Sequence, residues 1–480
     1  MAIAALLFGL LGCTKENMLP SEHGEEASKA KLSLSLWLPT SATKATDGGD
    51  LNATTSESVV NSVHVFVFTA FGDKSEQGGY TSFDLTDFTS TGNTYTLNNS
   101  KNIETLSGSK RIYVGINLPN GSWRTYGTED DLLAAFSTVA NMTEDNNFTM
   151  FSDVQEVSLQ SEEYLGKGVA NNITVDIRRV TAKVAASSNV ETYATTDWTE
   201  TGLTMTYAPI HFRVIQDAKN SYVAPNYEEV DDLIREKTRI DDFSFDNRFN
   251  VLNSFAVSAN APSVTINHPH PGSDADLVAM GGVYVGENAP LLNVTGNTTY
   301  VMVATTVTCN REAEWDVTAN GGLGGVVWNS ANYGGGIHGS DVYVVHYNGN
   351  DYVCATYAGA EALGLGLDGN SGKSKIYTYT DGYVHFAVWL NKSGDNSYSV
   401  LRNQFIHVKV NGVTDREYFF PGYPGDPNDP QKPIDPTDPD NPDNPYPQDP
   451  EDPVDGMKTY LNVEVNVKPW MYKENDTILK

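Results

Sequence analysis

Proline recurs at every third position from residue 421 to residue 445, and this spacing strongly constrains the C-terminal part of the chain. A polyproline II helix has three residues per turn, so evenly spaced prolines would stack along one edge of a stiff rod. The Asp and Asn residues between them keep such a rod solvated and extended. The spacing predicts a linker over residues 421–456 that reaches up to about 110 Å at ~3.1 Å per residue.

A strictly alternating segment follows this linker. Polar residues separate four aliphatic ones within residues 459–468, namely Leu461, Val463, Val465 and Val467. A period of two is the pattern of a β-strand with one buried face. Residues 457–480 are therefore predicted to carry a terminal strand that needs a sheet to join.

The N-terminal residues indicate secretion. Residues 2–11 form an apolar run that is too short to span a bilayer and is typical of the core of a signal peptide. The run ends in Leu-Leu-Gly-Cys, which resembles a bacterial lipobox, so residues 1–13 are predicted to be a lipoprotein signal with Cys13 lipidated. The alternative is an ordinary signal peptide with an incidental cysteine. No Lys or Arg precedes the run, which leaves open a start upstream of Met1.

A second alternating segment lies near the N-terminus. Residues 31–38 place Leu32, Leu34, Leu36 and Leu38 on one face, and an exposed loop containing Lys44 and Ala45 follows. The pattern predicts a strand whose leucine face is buried.

The rest of the chain favours an all-β fold. Many short alternating or apolar segments are separated by turn residues, which is typical of β-sandwiches. We predict two domains, residues 45–190 and 191–420. Strands are expected at 63–68, 94–97, 111–117, 172–177, 181–186, 204–215, 254–258, 299–308, 342–347, 352–357, 376–379, 383–390 and 406–410.

A few local features are more specific. Thr128 and Asp131 resemble a capping box and predict a short helix over residues 129–136. A second helix is expected over 227–237, and the glycine-rich residues 321–339 are expected to form a loop. Asn348-Gly349 predicts a type I′ hairpin.

Composition and motifs argue against several functions. The formal net charge of −30 argues against nucleic acid as a partner, because phosphate binding needs a basic surface. Residues 364–369 match the dinucleotide pattern G-x-G-x-x-G, but a strand is expected after them, where the pattern requires a helix. We identify no catalytic motif, so an enzyme is not expected and neither is a cofactor.

Two further groups of residues leave alternatives open. His268 and His270, with Asp274 and Asp276 nearby, could hold a metal, although the prolines and glycine around them favour a surface loop, and no metal is expected. Cys309 and Cys354 either form a disulfide or are two buried free thiols.

Taken together, these motifs resemble the type V pilins of Bacteroidales, the FimA-like fimbrial subunits. The resemblance rests on the lipobox Cys13, the alternating strand before a loop with Lys44, the two β-rich domains and the terminal strand. Residues 177–183, Ile-Arg-Arg-Val-Thr-Ala-Lys, resemble a family motif late in the first domain. The proline-rich tail before Lys-Thr-Tyr at 458–460, and Pro-Trp at 469–470, are most similar to the main subunit of the short (minor) fimbriae.

The resemblance implies two tandem transthyretin-like β-sandwich domains and a role in cell-surface fimbriae. It also implies a lipoprotein precursor on the outer membrane, in which a protease specific for Lys or Arg cuts the Lys44–Ala45 bond. Residues 14–44 would then be a propeptide that carries the removable strand with Leu32, Leu34, Leu36 and Leu38. The C-terminal strand with Leu461, Val463, Val465 and Val467 would replace that strand in a neighbouring copy, by β-augmentation.

The physical properties of the two strands fit this scheme, because a groove left by one alternating strand requires another of the same period. Head-to-tail addition does not close on itself and gives a filament. The implied partners are other copies of the chain and related fimbrial subunits. A rival hypothesis is a tip adhesin or ligand-binding lipoprotein on the same scaffold, which binds a host glycan or protein through the loops at 321–339 or 268–276.

Overall fold

The computed structural model describes residues 28–38, 53–215 except 190 and 199, 220–225, 227–230, 233–236, 266, 269–289, 293–331, 340–390, 398–454 except 415, 417, 418, 439 and 450, and 461–469. Within these residues, no helix has the length and apolar character needed to cross a membrane. The predicted strand at 254–258 lies outside the described residues.

The N-terminal half forms a curled sheet of ten strands around an aliphatic core. The bounds of the first eleven strands are β1 (Lys29–Trp37), β2 (Val63–Thr69), β3 (Tyr80–Phe83), β4 (Phe88–Thr91), β5 (Thr94–Leu97), β6 (Ile103–Leu106), β7 (Gly108–Ile116), β8 (Phe136–Thr138), β9 (Met150–Ser152), β10 (Gln155–Leu159) and β11 (Asn171–Arg179). The strand order is β3-β2-β7-β9-β11-β1-β5-β4, with β10 paired to β7 and β6 paired to β1. The N-terminal strand β1 is therefore an interior strand of this sheet.

The C-terminal half contains two larger sheets and several hairpins. Its strands are β12 (Thr181–Ser188), β13 (Tyr193–Trp198), β14 (Leu203–Ile215), β15 (Asn220–Tyr222), β16 (Tyr227–Val230), β17 (Leu233–Glu236), β18 (Val283–Gly286), β19 (Tyr300–Cys309), β20 (Arg311–Asp316), β21 (Gly325–Ser330), β22 (Val342–Tyr347), β23 (Asn350–Cys354), β24 (Lys375–Tyr379), β25 (Tyr383–Trp389), β26 (Gln404–Val413), β27 (Tyr423–Asp426), β28 (Asp429–Pro433) and β29 (Leu461–Pro469). One sheet has the order β18-β12-β26-β29 and the other β13-β14-β19-β25-β27-β28. A single large core lies between them, and the all-β fold expected from the sequence is confirmed.

The change of sheet along the chain occurs before residue 190. β12 pairs in parallel with β26 and antiparallel with β18, and among the described residues it makes no ladder with the first sheet. The chain therefore leaves the first sheet at Val180, ten residues before the predicted boundary. The alternating apolar residues of β12 predict a strand but do not say which sheet it joins.

The helix predictions had mixed outcomes. The helix Glu129–Leu133 begins with the expected capping box between Thr128 and Asp131. The helix expected over 227–237 is wrong, because β16 and β17 form an antiparallel hairpin there. A helix that the sequence analysis missed, Tyr357–Asp368, contains most of the G-x-G-x-x-G match and ends at Gly369 with a left-handed backbone. These glycines therefore do not form a phosphate-binding loop between a strand and a helix.

Two turn predictions can also be compared with the structure. Asn348 and Gly349 both have positive φ and connect β22 to β23, as a type I′ hairpin requires. The stretch 321–339 is only partly a loop, because β21 pairs with β20 over six residues. Residues 332–339 lie outside the described residues.

The proline-rich segment is not an extended rod. Six of its Asp and Asn residues stand directly before a proline and accept a hydrogen bond from the backbone N–H two residues further on, at 2.7–3.1 Å. These residues are Asp426, Asp435, Asp438, Asn441, Asn444 and Asp449. An Asx turn of this kind bends the chain. The proline spacing alone predicted a straight rod, because it takes no account of the Asp or Asn that precedes these prolines.

These turns fold the segment back onto the second domain. Tyr423, Ile434 and Val454 are buried in an aromatic cluster that includes Tyr300 and Trp389. β27 pairs with β25, and the N–H of Val454 donates to the carbonyl of Asn293 at 3.1 Å. We call residues 421–454 the strap, because they bind along the body of the protein up to Val454.

Asn444 provides a test of how the strap is held. Its side-chain Nδ2 donates to the carbonyl oxygens of Asp435, Pro436 and Asp438, each at 3.2 Å. Replacing it by alanine should lower the free energy of unfolding in urea by about 1–3 kcal/mol, because buried carbonyls lose their donor. Asn441→Ala, which removes only an Asx turn, is the control and should cost less than about 1 kcal/mol. An equal loss in both variants would contradict this role for Asn444.

Candidate functional site

The N-terminal strand β1 fills an interior groove of the first sheet. It pairs in parallel with β11 from Leu32↔Asn171 to Trp37↔Asp176, and antiparallel with β5 and β6 on its other side. Leu32, Leu34, Leu36 and Leu38 are each 0% exposed. They pack against the aliphatic core of the first domain, so the predicted burial of this face is confirmed. Burying four such side chains contributes on the order of 6–12 kcal/mol.

The opposite face of β1 makes polar contacts. Nζ of Lys31 lies 3.6 Å from Oε1 of Glu162, and the hydroxyls of Ser35 and Thr96 are 3.1 Å apart. Nδ2 of Asn171 donates to the carbonyl of Lys31 at 3.0 Å. The groove therefore recognises an alternating strand on both of its faces.

The C-terminal strand β29 is docked on its own domain. It pairs antiparallel with β26 from Gln404↔Pro469 to Val413↔Leu461, with one bulge near Gly412. Leu461 is buried, while Val463, Val465 and Val467 are half-buried and pack against the second core. The sequence analysis expected this strand to be held out on an arm, and the structure instead places it at the edge of a sheet.

The two strands differ in how firmly they are held. β1 has a hydrogen-bonded strand on each side and a fully buried leucine face, whereas β29 has one neighbouring strand in the part of the chain that is described and a half-buried valine face. Moving three half-buried valines into a fully enclosed groove would stabilise them by roughly 1 kcal/mol each. An edge strand can leave by breaking one ladder, but an interior strand must break two.

A buried ionic cluster joins the segment after β1 to the second domain. The Glu57 carboxylate accepts hydrogen bonds from Lys183 at 3.0 Å, Tyr284 at 2.5 Å and the N–H of Thr54 at 2.7 Å. Its backbone carbonyl accepts from Nε of Arg179 at 3.2 Å. Burial alone would raise the pKa of Glu57, but Lys183 and Tyr284 outweigh it, so the pKa lies below the usual carboxyl value.

The sequence analysis did not identify this ionic cluster around Glu57 as a site. Arg179 and Lys183 do lie in the stretch 177–183 that carries a family resemblance, which was the available signal. Ala53 packs nearby against Ala185 and Phe405, so residues 53–58 contact β12 and β26 rather than the groove of β1. Residues 53–58 are therefore anchored independently of β1.

The other predicted site residues are placed as follows. Cys13, Lys44 and Ala45 lie outside the described residues. Cys309 and Cys354 are both buried free thiols, so the disulfide alternative is wrong. Cys309 lies on β19 and Cys354 on β23, strands of different sheets, and the Cys354 thiol is directed to the carbonyl of Ala313 at 3.4 Å. Burial raises the pKa of both thiols, that of Cys354 to about 12.

The histidine and acidic residues near 270 have structural partners. Nδ1 of His270 lies 2.7 Å from Oγ of Ser187, which is also 2.7 Å from Nε2 of His407. Ser273 caps a short helix: its hydroxyl accepts from the N–H of Asp276 and donates to the Asp276 carboxylate. Among the described residues, no group of three or more His, Cys, Asp or Glu side chains is arranged to hold a metal ion, and His268 lies outside them.

Two models of known protein families match the chain, one in its N-terminal half and one in its C-terminal part. Residues 30–232 match the family model described as major fimbrial subunit protein (FimA), and residues 377–476 match the model for the C-terminal part of the type IV major fimbrial subunit protein, fimbrillin. The chain belongs to the FimA-like fimbrial subunits. The family consists of structural subunits of cell-surface fimbriae, which is not a class of enzymes. β1 lies within the first match, and β29 lies within the second.

Solved structures resemble this member of the family over most of its length. A candidate cell adhesion protein from Parabacteroides distasonis ATCC 8503 is 16% identical, with 92% of this chain and 97% of that chain covered and a TM-score of 0.45. A fimbrilin (fimA) from Porphyromonas gingivalis W83 is 14% identical, with 93% and 98% covered and a TM-score of 0.41. The tip fimbrial protein Mfa3 from Porphyromonas gingivalis is 12% identical, with 92% and 100% covered and a TM-score of 0.35. A comparison with curated proteins finds no match.

Proposed function

We propose that this fimbrial subunit assembles by donor-strand exchange between copies of itself. β1 fills the groove of the first domain until the Lys44–Ala45 bond is cut by a protease specific for Lys or Arg. β1 then leaves, and β29 of another copy enters the groove. The precursor is a lipoprotein held on the outer membrane through Cys13.

One observation carries this proposal: the chain has two strands of the same apolar period, and the fully enclosed one lies at the end that cleavage would release. β1 is held by its ladders, its buried leucine face and side-chain contacts such as Lys31–Glu162, and its covalent link to the rest of the chain runs through Lys44. The segment after that chain is held separately, by the cluster around Glu57. A cut at Lys44 would therefore detach β1 and leave the mature N-terminus anchored.

The edge position of β29 supports its role as the donor. Its valine face is only half-buried in the monomer, so it gains burial when it enters the groove of another copy.

The docked strap shortens the reach of the donor strand compared with the extended linker expected from the sequence. Only seven Cα steps separate Val454 from Leu461, so a strap that stays bound limits the strand to roughly 25 Å of reach. Neighbouring subunits should then pack closely rather than at the ends of long arms.

Limited proteolysis tests the proposal directly. Low doses of trypsin on a Cys13→Ala precursor should cut after Lys44 and convert monomers into filaments, as seen by mass spectrometry and electron microscopy. The matched control, Lys44→Gln, should stay monomeric under the same treatment. Cut protein that remains monomeric would contradict the proposal, and so would filaments formed equally well by the control.

A further inference from the structure

We propose that β29 enters the groove of the next subunit in the direction opposite to that of β1, so that Lys468 takes the place of Lys31 beside Glu162. The inference rests on the proposed strand exchange and adds the orientation of the donor strand and the acceptor residue that selects it.

The aliphatic residues alone allow both directions. With the strands in the same direction, Leu461 takes the position of Leu32 and Val467 that of Leu38. In the reversed direction, Val467 takes the position of Leu32 and Leu461 that of Leu38. All four core positions are filled in either case, because a period of two is unchanged when a strand is reversed.

The backbone ladders do not decide between the directions either. β1 is parallel to β11 over six residue pairs and antiparallel to β5 and β6 over three and four pairs. Reversing the strand makes the first ladder antiparallel and the others parallel. The difference in stability per pair between the two types is small.

The outward face distinguishes the two directions. Glu162 lies beside the groove, pairs with Lys31 at 3.6 Å and also accepts from the N–H of Gly168 at 3.1 Å. Departure of β1 takes this cation away. In the reversed direction the residue at position 31 is Lys468, and in the same direction it is Tyr460. Reversed insertion therefore returns a cation to the position from which Lys31 contacts Glu162, whereas insertion in the same direction brings its nearest cation, Lys458, to position 29.

Disulfide trapping between two full-length chains shows in which direction β29 enters the groove. The acceptor is cut protein carrying Thr94→Cys and Val465→Asp, so that it cannot donate. The donor is uncut protein carrying Lys44→Gln and either Asn462→Cys or Asn466→Cys, with Cys13 replaced in both chains. Residue 37 of β1 pairs with Thr94. Reversed insertion places residue 462 there, whereas insertion in the same direction places residue 466 there.

We expect the acceptor Thr94→Cys to form a disulfide with Asn462→Cys, and to form little disulfide with Asn466→Cys. Glu162→Lys in the acceptor should slow pairing about two- to fivefold, and Lys468→Glu in the donor should restore it. A disulfide only with Asn466→Cys, or no effect of Glu162→Lys, would overturn the inference while leaving strand exchange intact. If the cut acceptor and the uncut donor form no complex even without these cysteine and charge changes, strand exchange itself fails and the inference fails with it.

Discussion

Replacing Lys183 by methionine is expected to lower the free energy of unfolding by about 3 kcal/mol, because it leaves the buried carboxylate of Glu57 without the cation that is hydrogen-bonded to it. Both side chains are almost fully buried, at 0% exposure for Glu57 and 4% for Lys183. Arg179 donates to the backbone carbonyl of Glu57 and its charge also lowers the pKa of the carboxyl, so it offsets part of the loss. Urea unfolding at neutral pH measures the loss.

The double variant Glu57→Gln with Lys183→Met is the matched control. It removes both charges at once, so it should be less destabilised than Lys183→Met alone. A double variant that is at least as unstable as the single one would show that packing, and not an unpaired charge, accounts for the effect.

The pH dependence of the same cluster has a definite sign. The pKa of Glu57 in the folded protein lies below its usual value of 4.5, so its contribution to stability is present above about pH 4.5 and is lost as the pH falls through the folded value. In Lys183→Met the unpaired buried carboxyl should have a raised pKa and take up a proton. The difference in stability between wild type and Lys183→Met should therefore shrink as the pH is lowered from 7 towards 4. A difference that grows would contradict the assignment.

Replacing Val465 by aspartate is expected to abolish addition of the donor strand while leaving a folded monomer. Val465 is half-buried at the edge of its own sheet, so the aspartate can remain in contact with water there, at a cost of about 1–2 kcal/mol. In the groove it would occupy the position of Leu34 or Leu36, each 0% exposed. A charge buried there without a partner costs several kcal/mol, which corresponds to a thousandfold or greater loss of affinity.

Filament formation after trypsin cleavage measures this effect, and thermal unfolding of the uncut variant shows whether the monomer is intact. Asn462→Ala, on the polar face of the same strand, is the control and should still assemble. Filaments from Val465→Asp at the wild-type rate would show that this strand does not enter an enclosed groove.

Local pattern predicted the individual strands well. The alternation at 31–38 and 459–468 gave two strands with the correct buried faces, because which side chains face the core depends on a period of two. Thr128 and Asp131 predicted a helix start for a similarly local reason. The alternation could not say that β29 pairs with β26 of its own chain, since an edge position depends on which other strands reach that edge.

The predictions that failed concern features that depend on neighbouring residue types or on residues distant in the sequence. The proline spacing suggested a rod, but the Asp or Asn before many of the prolines makes turns, and Tyr423, Ile434 and Val454 provide the contacts that fold the strap down. Residues 364–369 were interpreted as a glycine-rich match followed by a strand at 376–379, and the structure has the helix Tyr357–Asp368 over most of that match. The cluster around Glu57 unites residues more than 120 positions apart, and no spacing rule connects them.

The most direct test of strand exchange is to measure how much of the N-terminal peptide remains in washed filaments. Quantitative mass spectrometry of filaments made by cutting after Lys44 would count peptides containing residues 32–38 against peptides from β11. Strand exchange predicts that the N-terminal peptide is nearly absent from the filament and appears in the supernatant. One retained N-terminal peptide per subunit would contradict it, because the groove would then still hold its original strand.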